Sequence, residues 1–293
     1  RKSIHGMSSI LAGIPSFKDA FTSSPYANQE IESVVSVLNS EGYDTSFFHG
    51  APNGSMGFLG FSNILGFDHY YGKTEFGNDS LFDGFWGIWD LPFFQFMKDT
   101  IDTKNTPFFS TIFTVTSHEP YIIPNEFEGQ FPKGNLPMHQ CVGYTDFAFK
   151  QFFESAKNEE WFDNTIFIIT GDLTHCGDDT SYQIFINILT EAKFPEHLYP
   201  KLIIGNHDDR ENFKKNFPHI ISDKNGFIQY VEHFDDKAFI FLDTNLSGTD
   251  EGHLCEKRLQ WLKENLDKQV NKKIYLFMHH NPLALNDDKS DRI

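Results

Sequence analysis

The sequence is poor in basic residues, in cysteine and in long apolar runs. Lysine and arginine number 24 against 41 aspartates and glutamates, which gives a formal net charge of −17. Because no basic patch is available to neutralise phosphates, we expect the chain to bind neither nucleic acid nor anionic membranes. Cys141, Cys176 and Cys255 form no Cys-x-x-Cys pattern, so neither a disulfide framework nor a thiolate zinc site is indicated. No apolar run reaches the roughly 18 residues of a membrane span, and no signal peptide is visible.

What the chain does contain is abundant hydrophobic sequence in alternating helical and strand patterns. Hydrophobic residues make up 39% of the 293 positions, enough for one large domain or two ordinary ones. The patterns predict the following elements in the first half: helices over residues 4–12, 28–40, 91–101 and around 144–156, and strands over residues 44–48 and 108–116. Helix alternating with strand is typical of an α/β fold.

The second half continues the alternation, and three of its strands end in polar motifs. The patterns predict these elements: strands over residues 165–170, 201–204, 226–234, 238–242 and 274–278, and helices over residues 180–196, 210–217 and 254–266. The strand ends carry Gly171-Asp172, Gly205-Asn206-His207-Asp208 and His279-His280-Asn281-Pro282. Ligands gather at the carboxyl ends of strands in open α/β sheets, although Asp172 alone is equally typical of an Asx turn.

Residues 1–172 resemble the lipoteichoic acid synthase-like sulfatases of the alkaline phosphatase superfamily. The segments that carry the resemblance are RKSIHGMSSILAGIPSF, FFHGAPNGSMGF, GFDHYYG, TVTSHEPY and YTDFAF, followed by WFDNTIFIITGD. The resemblance implies that His118 contacts the substrate; the alternative is a strand-end histidine hydrogen-bonded to nearby backbone. In that family the threonine nucleophile and an acidic ligand precede the segment that Arg1 begins. The family also has Asp-His where this chain has Asp172-Leu173.

Residues from about 165 to 293 resemble the calcineurin-like metallophosphoesterases, in the branch of the class III cyclic nucleotide phosphodiesterases. The matching segments are GDLTHCGDDTSY, IIGNHDD, IFLDTN with a following GHL, LQWLKENL and FMHHNPLAL. The resemblance implies an α/β chain in two parts: a mostly parallel sulfatase-like layer over residues 1–172, joined to a partial metallophosphoesterase fold over residues 173–293. The strand at residues 165–170 is common to both families.

The second resemblance implies a metal site built from Asp172, Asn206 and His279. A carboxylate can bridge two cations, an amide oxygen adds no charge, and an imidazole nitrogen beside oxygen donors suits Mn, Fe or Zn. His279 and His280 point to opposite faces of a strand, so one of them can ligate, and the family pattern assigns that role to His279. Individually, Asp172 could be a turn residue, Asn206 a left-handed residue and His279 a core histidine.

The resemblance also assigns the catalytic roles. His207 would protonate the leaving oxygen or stabilise developing charge, with Asp208 as its orienting partner. His175 and Cys176 lie in a loop to which the family gives no ligand role. The family's first motif, Asp-x-His, is absent from the expected place, and its final Gly-His-x-His would lie beyond Ile293. We therefore expect a second metal site to be doubtful and activity to be impaired.

Three interpretations remain open at this point. The chain is a metal-dependent phosphoesterase acting on small phosphate esters, a sulfatase or phosphoglycerol transferase-like enzyme, or a non-catalytic fusion. The first predicts a cytoplasmic protein. The second predicts a membrane-anchored, extracytoplasmic one if sequence before Arg1 carries membrane spans. The oligomeric state and the precise substrate are not indicated.

Overall fold

The structure, a computed structural model, describes residues 4–14, 16 and 19–280. It divides into two compact units, residues 1–164 and 165–293. The predicted helix stop at Pro15 and the last two residues of the His279–Pro282 motif lie outside the described residues. None of the helices in the described part of the chain combines the length and the apolar composition of a membrane span.

The first unit is built around a parallel sheet with helices on both faces. Its helices are α1 (Ile4–Ala12), α2 (Val34–Ser40), α3 (Phe58–Leu65), α4 (Lys73–Phe76), α5 (Asp90–Asp102) and α6 (Met138–Ala156). Its strands are β1 (Asp44–His49), β2 (His69–Tyr71) and β3 (Phe108–Phe113), in the order β2-β1-β3 with both pairings parallel. The predicted parallel α/β layer is thus confirmed.

Two adjacent phenylalanines of β1 show how the sheet is covered. Successive strand residues point to opposite faces. Phe47 packs with Phe58 and Leu65 of α3, whereas Phe48 packs with Phe93 and with other residues of α5. Both phenylalanines are almost fully buried, so this sheet is the middle layer of three.

Helix α2 begins later than its apolar spacing predicts. Residues 28–40 were expected to be helical, but the α-helix starts at Val34 because Ser33 caps it. The Ser36 N–H donates to Ser33 Oγ at 3.0 Å, and the Ser33 N–H donates to Ser36 Oγ at 2.9 Å. This reciprocal cap fixes the helix start at the serine pair.

The second unit contains two small sheets. Its helices are α7 (Asp179–Ala192), α8 (Arg210–Asn216) and α9 (Glu256–Leu266). Its strands are β4 (Ile168–Ile169), β5 (Lys201–Leu202), β6 (Tyr230–Phe234), β7 (Lys237–Leu242) and β8 (Lys273–Met278). β4 pairs with β5 in parallel, and β7 pairs with β6 antiparallel and with β8 parallel.

Two strands of the second unit are shorter than expected. The run at 165–170 was predicted to be a continuous buried strand, but only Ile168 and Ile169 are paired, and both are half-buried. Their partner β5 is equally short, although Ile203 and Ile204 continue it as buried chain. The apolar pattern located these strands correctly but overestimated their paired length, since strand length depends on the partner available.

Candidate metal centre

The loop after β4 places Asp172 in a tight turn against two other loops. Gly171 has a φ of +106°, and a Cβ there would lie 2.8 Å from the ring Cγ of His279 and 2.9 Å from the Gly205 nitrogen. Asp172 itself has a φ of 52°. A non-glycine residue in this region carries backbone strain of about 1 kcal/mol or more. Glycine at 171 is therefore required by both backbone conformation and close approach.

The loop after β5 approaches the same point and also needs a glycine. A Cβ on Gly205 would lie 2.5 Å from the backbone nitrogen of Asp172. The next residue, Asn206, extends its side-chain oxygen to 3.1 Å from His279 Nε2. The absence of side chains at Gly171 and Gly205 lets the two loops pack together.

His279 follows β8 and completes the group. Its Nδ1 lies 2.7 Å from the carbonyl oxygen of Thr170, and its Nε2 lies 3.5 Å from Asp172 Oδ1. A carbonyl oxygen accepts a hydrogen bond and cannot donate one, so Nδ1 carries the proton. Its Nε2 then faces the oxygens of Asp172 and Asn206.

The three converging atoms form a donor set that fits a cation. A carboxylate oxygen, an amide oxygen and an imidazole nitrogen face one another, with His279 Nε2 within 3.5 Å of both oxygens. This mixture of nitrogen and oxygen donors suits Mn, Fe or Zn. Across the part of the chain that is described, no group of three or more His, Cys, Asp or Glu side chains is arranged to hold a metal. The set here has only two such side chains, because its third donor is the amide of Asn206.

His207 borders this donor set and is oriented by the chain around His175. The His207 backbone N–H donates to Asp172 Oδ1 at 3.1 Å. Its ring Nδ1 lies 3.0 Å from the carbonyl oxygen of His175, and the two rings stack with centroids 5.0 Å apart. Since the carbonyl accepts the Nδ1 proton, Nε2 of the exposed His207 ring is left for a reacting group.

Asp208 does not orient His207, contrary to expectation. Its Oδ2 accepts from the N–H groups of Gly205 at 2.9 Å and Leu173 at 3.1 Å, and its Oδ1 accepts from the Tyr182 hydroxyl at 3.0 Å. Burial raises the pKa of the Asp208 carboxyl, and the Gly205 and Leu173 N–H groups oppose that shift. Asp208 therefore connects the two loops that carry Asp172 and Asn206. The His175 carbonyl orients His207, which is the role that was predicted for Asp208.

A buried polar group at the end of β7 also supports the site, and no role was predicted for it from the sequence. Asn245 Nδ2 donates to the carbonyl oxygens of Gly205 at 2.6 Å and Asp208 at 3.0 Å. Asp243 accepts two hydrogen bonds from Arg210, at 2.7 and 2.9 Å. The segment IFLDTN that contains Asp243 and Asn245 was recognised only as a family resemblance. A charged residue directly after an apolar strand, Asp243 after Leu242, is the signal that could have identified this group.

His118 lies in the first unit and is held by backbone. Its Nδ1 is 3.0 Å from the Val115 carbonyl oxygen, and its ring centroid is 5.7 Å from that of Trp86. The buried Asp90 carboxylate accepts from the Val115 and Thr116 N–H groups, which fixes the segment leading to His118. Substrate contact by His118 stays a prediction.

Comparison with known proteins assigns both parts of the chain to hydrolase families. The Sulfatase family pattern matches residues 2–180, and the calcineurin-like phosphoesterase pattern matches residues 138–292. A probable cyclic nucleotide phosphodiesterase of Rhodopseudomonas palustris is 37% identical over 128 residues, covering 43% of this chain and 45% of that protein. Lipoteichoic acid synthase 2 of Bacillus subtilis is 24% identical over 152 residues, covering 50% of this chain and 23% of that protein. The chain thus spans less than half the length of these relatives.

A solved structure supports the fold. A protein in the alkaline phosphatase superfamily from Vibrio parahaemolyticus aligns over 93% of this chain and 78% of its own, with a TM-score of 0.53 and 16% identity. Both resemblances inferred from the sequence motifs are confirmed. The chain belongs to the Sulfatase family through residues 2–180 and to the calcineurin-like phosphoesterase family through residues 138–292.

Proposed function

We propose that the second unit is a metal-dependent phosphodiesterase centre. The observation that carries the proposal is the convergence of Asp172 Oδ1, Asn206 Oδ1 and His279 Nε2, with Nε2 within 3.5 Å of both oxygens. These residues would hold Mn, Fe or Zn. When bound, such a metal supplies Lewis-acid stabilisation of phosphoryl oxygens.

The residues around the donor set have separate tasks. The Thr170 carbonyl holds the His279 ring so that Nε2 faces the oxygens. The His175 carbonyl holds the His207 ring so that its Nε2 can give a proton to a departing alkoxide oxygen. Asp208 accepts hydrogen bonds from Leu173 and Gly205, one in each ligand loop, and so keeps the two loops at a constant separation.

A small phosphodiester is the substrate class we favour. Phosphodiester hydrolysis is named for the Rhodopseudomonas palustris relative, and the net charge of −17 disfavours a polyanionic nucleic acid. The family's Asp-x-His motif is absent from its expected place upstream of Asp172, so the ligands that it would give to a second metal are missing there. We therefore expect one weakly held ion and slow turnover.

The test uses the purified chain, stripped of metal and resupplied with Mn²⁺. We expect slow, Mn²⁺-dependent hydrolysis of bis(4-nitrophenyl) phosphate, with a 3′,5′-cyclic nucleotide as a second probe. His279→Ala and His207→Ala should each lower kcat about 100-fold or more, whereas His118→Ala should leave it unchanged. His233→Ala is the matched control. His233 pairs with Ala238 near the start of β7, whereas Asp243 follows the other end of that strand.

Three results would contradict the proposal. They are metal-independent turnover, two tightly held ions per chain, and loss of activity in His118→Ala that equals or exceeds the loss in His207→Ala. The last result would favour a sulfatase or phosphoglycerol transferase-like reaction in the first unit.

A further inference from the structure

The direction of the Asn206 side chain is not set by its own hydrogen bonds. Its Oδ1 faces the nitrogen of His279 at 3.1 Å. Its Nδ2 is buried and has no hydrogen-bond partner within the described residues. The orientation of this candidate ligand therefore depends on the backbone that carries it, the loop Gly205–Asp208.

One side chain holds both ends of that loop. Asn245 is 2% exposed, and its Nδ2 donates to the carbonyl oxygens of Gly205 at 2.6 Å and Asp208 at 3.0 Å. Those two carbonyls flank Asn206 and His207. The Asn245 NH₂ group thus donates to both carbonyl oxygens, which fixes the distance between the two ends of the loop.

Asn245 is itself held on its backbone side. Its N–H donates to Asp243 Oδ1 at 3.0 Å, and its carbonyl oxygen accepts from Arg210 at 2.8 Å and Arg258 at 3.0 Å. Both guanidinium groups also lie over the ring of Phe227, at 5.3 and 4.6 Å from its centroid. Asn245 is thus anchored to the end of β7 and to helices α8 and α9, so it can act as a fixed reference for the loop.

We propose that Asn245 is a positioning residue that aims Asn206 at the metal site by clamping the carbonyls of Gly205 and Asp208. The inference rests on the proposed function in one respect, that Asn206 is a ligand. It requires an amide at position 245, since a carboxylate has no proton to donate and would face two carbonyl oxygens.

The experiment compares the Asn245→Ala and Asn245→Asp variants of the full chain with the wild-type protein. Mn²⁺ affinity is measured by calorimetry, and the backbone signals of Asn206 and His207 are followed by NMR in the metal-free protein. We expect Mn²⁺ affinity to fall about tenfold or more and kcat to fall with little change in KM for bis(4-nitrophenyl) phosphate. In the metal-free Asn245 variants, the NMR signals of Asn206 and His207 should be shifted from their positions in the metal-free wild-type protein.

The matched control is Asn265→Ala, which removes an amide that donates to the Trp261 carbonyl at 2.8 Å within α9. It should leave Mn²⁺ affinity and the Asn206 and His207 signals unchanged. If Asn245→Ala does not fold, the wild-type chain provides the test: the Asn245 side-chain NH₂ protons should exchange with solvent much more slowly than those of exposed asparagines. Fast exchange, or an Asn245→Ala protein with unchanged Mn²⁺ affinity and signals, would overturn the inference. A wild-type chain that binds no Mn²⁺ contradicts the proposed function instead, while the metal-free NMR comparison still tests the clamp.

Discussion

Four histidines of this protein share one anchoring geometry, and their chemistry depends on what the other ring nitrogen meets. Each places Nδ1 within hydrogen-bond distance of a backbone carbonyl oxygen. The pairs are His49 with Phe113, His118 with Val115, His207 with His175, and His279 with Thr170. In every case the carbonyl fixes the proton on Nδ1, so Nε2 is the variable atom. At His279 it meets two oxygens, whereas at His49 it is buried without a partner in the described part of the chain.

The environment of His49 predicts how acid affects stability. Burial lowers the pKa of His49 below 6.5, the Phe113 carbonyl opposes that shift, and the charge of nearby His118 adds to it. Because the folded-state pKa is depressed, the contribution of His49 to stability is present above pH 6.5 and is lost as pH falls below it, where the unfolded chain takes up the proton more readily.

The measurement for this prediction is urea unfolding at pH 7.5 and pH 5.5. Wild type should lose more stability between these pH values than His49→Gln does. The exposed His139→Gln serves as control and should behave as wild type. An equal pH dependence in wild type and His49→Gln would show that His49 does not titrate in this way.

At the scale of elements, the site is held by side chains more than by strands. β4 and β5 contribute only two residues each to their sheet. Helix α7 adds a further connection, because its fully buried Tyr182 donates a hydrogen bond to Asp208. Asp208 also accepts hydrogen bonds from backbone N–H groups in both ligand loops. The ends of short strands are thus connected by a buried carboxylate.

Removing the Tyr182 hydroxyl should weaken the second unit. Tyr182→Phe leaves the ring in place but deprives the buried Asp208 carboxylate of one donor. We expect a loss of about 1–3 kcal/mol in the free energy of unfolding, measured by urea denaturation. Tyr199→Phe is the matched control, because the Tyr199 hydroxyl makes no hydrogen bond within the described residues, and it should cost much less. Equal effects of the two substitutions would exclude a special role for the Tyr182–Asp208 bond.

At the scale of the whole molecule, the chain contains two units with separate hydrophobic cores. Clusters around Phe47 and Phe48 belong to residues 1–164, and the cluster around Tyr182, Leu202 and Phe213 belongs to residues 165–293. All three candidate ligands lie in the second unit. The boundaries predicted at 172 and 173 stay a prediction, and in the structure the strand β4 belongs to the second unit.

Metal should therefore stabilise one unit selectively. A ligand that binds only the folded state at about 100 times its Kd adds roughly 2.7 kcal/mol of stability. We expect Mn²⁺ to slow hydrogen exchange in peptides from residues 168–280 and to leave those from residues 19–164 unchanged, as measured by mass spectrometry. His279→Ala should abolish the effect. Equal protection of both units by Mn²⁺ would show that the metal acts elsewhere.

The alternation of elements, the parallel layer and the three polar strand ends were determined by the sequence, because they follow from local periodicity and from glycine at turns. The motifs also identified Asp172, Asn206 and His279 as candidates. Which atoms meet was decided only by the tertiary structure, since the contacts join distant positions: His279 and Thr170 are 109 residues apart, and Asn245 and Gly205 are 40 apart. For the same reason the Asp208 carboxylate was assigned to its neighbour His207, whereas in the fold it bonds to Leu173, 35 residues away. Side-chain partners of this kind depend on the path of the backbone between them, which no local pattern encodes.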